Sequence, residues 1–415
     1  MRFSIMLICL LMTPALAVPS EKNFFPIGIW YEGGVGDARN NLIPEDAWQA
    51  AAYYQRTMGD IARHGLNLVV VPNTPPTHHL PLLDAVQKAG LRAIIELGFE
   101  GGAIGHLVRS PQALTAEPAQ AATREWIKPI RRHPALYGIQ ILDEPPPSAF
   151  PNYQIAQTTI EELSSKRAFC CLIGGGGVAE FCQQVKPRQV AFDCYPIGEQ
   201  TPEGDRAPLD AYLAQCQRAA EGCRPFGVPF WAVIQAHSIT GIHRHPTPTE
   251  LRLMTYLALS EGARGIFYFL YQTELFSNNP PQLMEGVVTS EYHETVQFRA
   301  IRRLAGELKR LAPILMSLER TAQPGLLGET TGVHCSAWKD PRGSRYVIGV
   351  NLNTRQPAHI SLALPAAPGK GRWLLKDVLT GQTASRGAHL ENSLRFFLTL
   401  PPGGTCMLKL IQPGR

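Results

Sequence analysis

Beyond its opening segment, this 415-residue chain has no apolar run long enough to cross a bilayer and no block of concentrated charge. Its formal net charge of +5 is small for the length and scattered, and no basic stretch is interleaved with aromatic residues. A nucleic-acid-binding surface is therefore not expected. There is no C-x-x-C, which argues against a zinc site. No G-x-G-x-x-G follows the first apolar run, and the glycines Gly174 to Gly177 lack the Lys-Ser/Thr of a P-loop, so they read as a flexible turn and not a phosphate cradle. No cofactor is expected. Nine cysteines are too few for a disulfide scaffold; Cys170, Cys171, Cys182 and Cys194 suit small buried positions, while Cys335 with Cys406 and Cys216 with Cys223 are the pairs open to bridging.

What is present begins with a short cationic start, Met1-Arg2, an apolar stretch from Ile5 to Met12 and an A-x-A site at Ala15-Leu16-Ala17. Residues 1–17 read as a secretory signal peptide, so a secreted or periplasmic product without an integral membrane segment is expected. From Phe25 a rhythm follows of apolar run, turn, amphipathic segment and Gly or Pro stop. The apolar runs are Phe25–Trp30, Leu68–Val71, Leu91–Leu97, Leu136–Leu142, Ala168–Ile173, Gln189–Tyr195, Pro229–Gln235 and Gly265–Tyr271, with a long loop expected over Gly98–Glu117. Eight strand–helix units in under about 300 residues predict an α/β fold, a (β/α)8 TIM barrel over residues 24–316. Past Gln323-Pro324-Gly325 the runs become short and alternating, from Cys335–Trp338 to Cys406–Ile411. They predict a C-terminal antiparallel β-sandwich over residues 326–415.

In such a barrel the chemistry sits where the strands end. The fourth run ends in Asp143-Glu144-Pro145, two adjacent carboxylates halted by Pro145 to Pro147. Period-two alternation puts Glu144 on the face of Gly138 and Gln140, toward the barrel axis, and Asp143 on the face of Tyr137 and Ile139. Ionised groups at the mouth of an apolar core must be paired, hydrated or used. The other strand ends supply Trp30 and Glu32, Asn73, Glu96, Asp193 and Tyr195, Gln235 and His237, and Tyr271. Rings beside carboxylates and amides suit a sugar, stacking on its C–H faces while polar groups read its hydroxyls. His78, His79, His237, His243 and His245 have no carboxylate cage, so no metal is expected; His237 is kept as a substrate contact.

An exported barrel with an acidic residue before proline at the end of strand four, followed by a β-sandwich, resembles the glycoside hydrolases of clan A and their beta-galactosidase-like relatives. That clan usually carries Asn-Glu-Pro there, with the Glu as general acid/base; the resemblance implies that role for Glu144 in Asp143-Glu144-Pro145 and a carbohydrate substrate. It also implies that Tyr195 accompanies the nucleophile. The chain departs from the pattern at strand seven, where Gln235 stands in place of a nucleophilic Glu. Three outcomes stay open: a second carboxylate from Asp193, Glu32 or Glu96, with Asp193 leading; substrate-assisted hydrolysis of a 2-acetamido sugar, with Asp143 orienting the acetamido group; or a barrel that binds sugar without cleaving it.

Overall fold

The computed structural model describes residues 24–31, 43–97, 102–276, 282–322, 324–327, 332–365, 372–390, 393–412. The expected signal peptide and Glu32 lie outside the described residues. Eight parallel strands form the barrel: β1 (Ile27–Trp30), β2 (Leu68–Val71), β3 (Arg92–Glu96), β4 (Leu136–Gln140), β5 in two pieces (Arg167–Phe169 and Cys171–Ile173), β6 (Val190–Cys194), β7 (Phe230–Gln235) and β8 (Ile266–Phe269). The first piece of β5 pairs with β4 and the second with β6, while β8 pairs with β1, so the ring closes through β5.

Side-chain alternation sorts the barrel into two layers. Trp30, Leu68, Val70, Ile94, Phe169, Ala191, Trp231, Val233 and Phe267 fill the interior. Their neighbours along the strands, such as Ile29, Val69, Ile95 and Ala232, pack outward on the helices. Gly28 is one condition of this filling: a Cβ there would lie 2.3 Å from the Phe267 ring. β4 departs from simple alternation. Ala93 pairs with Leu136 and Ile94 with Gly138, so Tyr137 is bulged and its ring joins the interior, whereas alternation from the sequence puts it with Ile139 on the outer face.

The described helices, α1 (Ala47–Arg63), α2 (Pro76–Lys88), α3 (Gly102–Arg109), α4 (Ala116–Ile130), α5 (Phe150–Ser164), α6 (Val178–Val185), α7 (Ala207–Cys223), α8 (Pro248–Glu261) and α9 (Val296–Leu315), fold for local reasons. Asp46 caps α1 (Ala47–Arg63) by accepting from the amides of Trp48 and Gln49. Thr247 and Glu250 form a reciprocal capping box at the start of α8 (Pro248–Glu261). Residues 98–117, expected as loop, contain α3 (Gly102–Arg109), whose buried Ile104 and Val108 recur at helical spacing. The loops after β7 and β8 pair as a small antiparallel sheet of Ser238–Ile239, Gln282–Glu285 and Glu274–Phe276.

After α9 (Val296–Leu315) the chain enters nine antiparallel strands linked through Thr383–Leu390, which pairs with Trp373–Asp377 on one side and Ser393–Leu400 on the other. Val347, Leu375 and Leu408 from one wing and Ile360, Leu362 and Phe396 from the other share one apolar core. The sheet docks on the barrel through α8: Glu261 pairs with Arg320 and His334, and Arg252 donates to Thr405 Oγ1 at 2.8 Å. Thr383–Leu390 escapes sequence detection because Leu390 is its one large apolar residue, so no alternating apolar run marks it.

No disulfide joins the eight described cysteines. Cys216 and Cys223 lie two turns apart on α7 (Ala207–Cys223), a rise of about 10 Å that a bridge cannot span. Cys335 and Cys406 both sit opposite Gly349, on strands to either side of it, and so stand two strand spacings, about 10 Å, apart.

Candidate active site

A cavity of 520 Å³ opens at the C-terminal ends of β4, β5 and β6. It is lined by Glu144, Asp193, Tyr195 and His243, by Ile173 and the glycines Gly174 and Gly176 after β5, and by Gln215 and Arg218 from α7. That size suits a small-molecule or sugar-ring site.

Glu144 reaches this cavity from a loop and not from the strand itself. β4 pairing stops at Gln140, and Ile141 and Leu142 both bury in the helix-side layer. Alternation therefore does not carry as far as Glu144. The residue instead adopts φ +45, held by its amide donating to Cys171 O at 3.0 Å and followed by Pro145. A left-handed conformation at a residue with a Cβ is strained, and strain of this kind concentrates where a side chain must be aimed. Asp143 is exposed beside it.

Asp193, near the end of β6, is 6 % exposed. Glu144 and Tyr195 line the same cavity and stand near enough to act on the Asp193 carboxyl. Burial holds Asp193 well above the usual carboxylate range, and the neighbouring Glu144 and Asp143 push the same way, against the opposing effect of Tyr195. Burial and the neighbouring carboxylates therefore favour a proton held on Asp193. Asp193 Oδ1 is buried with no hydrogen-bond partner among the described residues.

Tyr195 stacks on Phe269 with ring centroids 5.5 Å apart and meets His237 edge-on at 4.7 Å. His237 is fully buried; its Nδ1 bonds Phe269 O at 3.1 Å, and burial pushes it down to about 3, so it is neutral at physiological pH. Its Nε2 has no partner among the described residues and, with the single proton on Nδ1 facing the Phe269 carbonyl, can only accept from a ligand group. His243, 5.4 Å from it between ring centroids, is also lowered by burial. Among the described residues no three metal-ligating side chains converge.

The remaining strand-end residues stand elsewhere. Trp30, 2 % exposed, is packed inside the barrel against Phe169, Phe267 and Phe269. Tyr271 turns outward, its hydroxyl donating to Asp60 Oδ2 at 2.9 Å. Glu96 is buried and accepts from the Asn73 amide at 3.3 Å, on the β2–β3 side of the mouth. Gln235 is fully buried: its Oε1 accepts from Ile197 N and its Nε2 donates to Ile197 O, each at 2.9 Å, with a third bond to Arg244 O at 3.3 Å.

Reading strand ends alone misses Gln215 and Arg218, which sit on a helix. They reach the cavity because the glycine run is a packing surface: a Cβ on Gly175 would lie 2.1 Å from Gln215 O, so only glycine lets α7 approach. Gly175 N donates to Gln215 Oε1 at 2.9 Å, which fixes the segment expected to be a flexible turn.

Residues 184–311, which span β6 to β8, match the family described as Beta-galactosidase, glycoside hydrolase 42. Asp193, Tyr195, Gln235 and His237 fall within the match and Glu144 outside it. No curated protein matches the chain. A beta-galactosidase from the psychrophilic Marinomonas ef1 shares the fold at 15 % identity and a TM-score of 0.51, over 71 % of this chain and 62 % of that one. This chain thus spans less than two thirds of that enzyme's length. A family 5 glycoside hydrolase from Bacteroides vulgatus aligns over 94 % of this chain and 90 % of its own, at 10 % identity and a TM-score of 0.60. A family 27 β-L-arabinopyranosidase from Geobacillus stearothermophilus aligns over 94 % and 98 %, at 12 % identity and 0.57. Over residues 184–311 the chain is similar in sequence to the beta-galactosidase family, and it shares its fold with these glycoside hydrolases.

Proposed function

We propose that the protein is an exported glycoside hydrolase that cleaves O-glycosidic bonds of an oligo- or polysaccharide with Glu144 as general acid/base and Asp193 as its partner carboxyl. The observation that carries this reading is that the two carboxyls line one cavity, Glu144 exposed and Asp193 buried. Glu144, the exposed member, meets an incoming glycosidic oxygen, and Asp193 stands beside it as the buried, proton-holding member. Asp193 then supplies the second group that Gln235 cannot.

The rival reading is a carbohydrate-binding barrel without catalysis, favoured by Gln235 being committed to backbone bonds. A panel of aryl glycosides and polysaccharides separates the two. Hydrolysis by the purified protein, with Glu144→Gln slower by about 10²- to 10⁴-fold in kcat, is the expected result. Equal glycan affinity in both proteins with no cleavage by either would establish the binding reading instead.

A further inference from the structure

We infer that the cavity takes a carboxylated sugar, a uronic acid, with Arg218 as the residue that selects it; this rests on the hydrolase reading and names its substrate class. Arg218 stands on the cavity wall, exposed, and makes no hydrogen bond or ion pair among the described residues. Three other arginines are paired. Arg206 is paired with Asp210 at 2.8 Å, Arg244 with the buried Glu250 at 2.7 Å, and Arg252 with Glu307 at 2.7 Å. Gln215, one turn before Arg218, is occupied by the Gly175 amide, so it does not shield the guanidinium.

The cavity is therefore polarised, with the Glu144–Asp193 pair at the barrel mouth and a cation on the α7 wall. A planar guanidinium fork matches a carboxylate with two parallel hydrogen bonds, a geometry that a neutral hydroxymethyl group cannot reproduce. A Cβ built on Gly176, which also lines the cavity, would meet nothing within 4 Å, so there is space beside the glycine run for a substituent. Ile173, 74 % exposed, offers an apolar edge to a sugar C–H face on the same wall. The chain's formal charge of +5 adds no long-range repulsion toward an acidic polysaccharide.

The test compares 4-nitrophenyl glucuronides and galacturonides with the matching glucosides and galactosides, in both anomers. The full-length wild type and the Arg218→Met and Arg218→Lys variants are assayed, and binding is also measured by calorimetry in the Glu144→Gln background. The quantity read is the ratio of uronide to neutral-sugar kcat/KM, or of affinities, which a general loss of the cavity would not move. Wild type should favour the uronide by about tenfold or more, Met should abolish the preference and Lys should restore part of it. A neutral-sugar preference in wild type, a ratio unchanged in Arg218→Met, or no binding of either sugar class overturns the assignment. If nothing is cleaved while the binding ratio behaves as expected, the hydrolase reading fails and the uronic-acid assignment stands.

Discussion

Gln235 and Ile197 are joined through both halves of one peptide-like pairing, amide oxygen to backbone N–H and amide nitrogen to backbone carbonyl, each at 2.9 Å. The residue that ends strand seven thereby fixes the loop leaving strand six, the loop that follows Asp193 and Tyr195. An amide is the side chain that can do this, because it offers a donor and an acceptor in one plane. A carboxylate offers acceptors only.

Gln235→Glu, the substitution that would restore the acidic residue of clan A, is therefore expected to destabilise the protein by about 2–4 kcal/mol and to lower any glycosidase activity. It leaves Ile197 O and Arg244 O without their donor and places a charge in a fully buried position. Urea unfolding at pH 7 together with an aryl-glycoside assay checks this. A Glu variant of unchanged stability and higher turnover would show instead that Gln235 occupies a working nucleophile position.

Asp193 opposes stability as the pH rises. Its folded pKa is raised above its unfolded value, so the folded state retains a proton that the unfolded chain gives up above about pH 4. Stability from this group falls as pH climbs from there toward the folded pKa. Asp193→Asn keeps the shape and an oxygen for Tyr195 while removing the charge; it should be more stable than wild type at pH 7, with the difference shrinking toward pH 4, and should lose hydrolytic activity. Denaturation midpoints across pH 4 to 8 read the effect, and a pH-independent difference would place the proton elsewhere.

The division between legible and hidden features follows from what each is made of. The barrel rhythm is legible because its strands are buried on both faces and read as short apolar runs bounded by Gly or Pro, as in Leu68–Val71 before Pro72. Glu144, Asp193 and Tyr195 can be picked out as strand-end residues, and they line one cavity. Trp30 and Tyr271 carry the same signal and go elsewhere, since a strand's last residues point inward or outward according to a parity that bulges can reset. Tyr137 shows how: one unpaired residue moves its ring to the interior. Arg218 gives no strand-end signal at all, because it reaches the cavity only through the close approach of α7 that Gly175 permits.

The joint between the barrel and the C-terminal sheet makes a stability prediction independent of any activity. Glu261, at the end of α8, has a side chain 1 % exposed, and it pairs with Arg320 and with His334 Nε2, the latter at 2.8 Å. Burial alone would raise its pKa, but His334 and Arg320 outweigh it and the net shift is downward. Its contribution is therefore complete above the unfolded carboxylate value and lost as pH falls through the folded one. Glu261→Gln removes the charge and leaves Arg320 without its counterion against α8, at a cost of about 3–5 kcal/mol. Urea unfolding at pH 7 should show that loss, with a shallower acid limb than wild type. A loss below about 1 kcal/mol at pH 7 would mean that solvent already screens the pair, and that apolar contacts such as those of Trp338 and Met407 with the barrel core hold the joint instead.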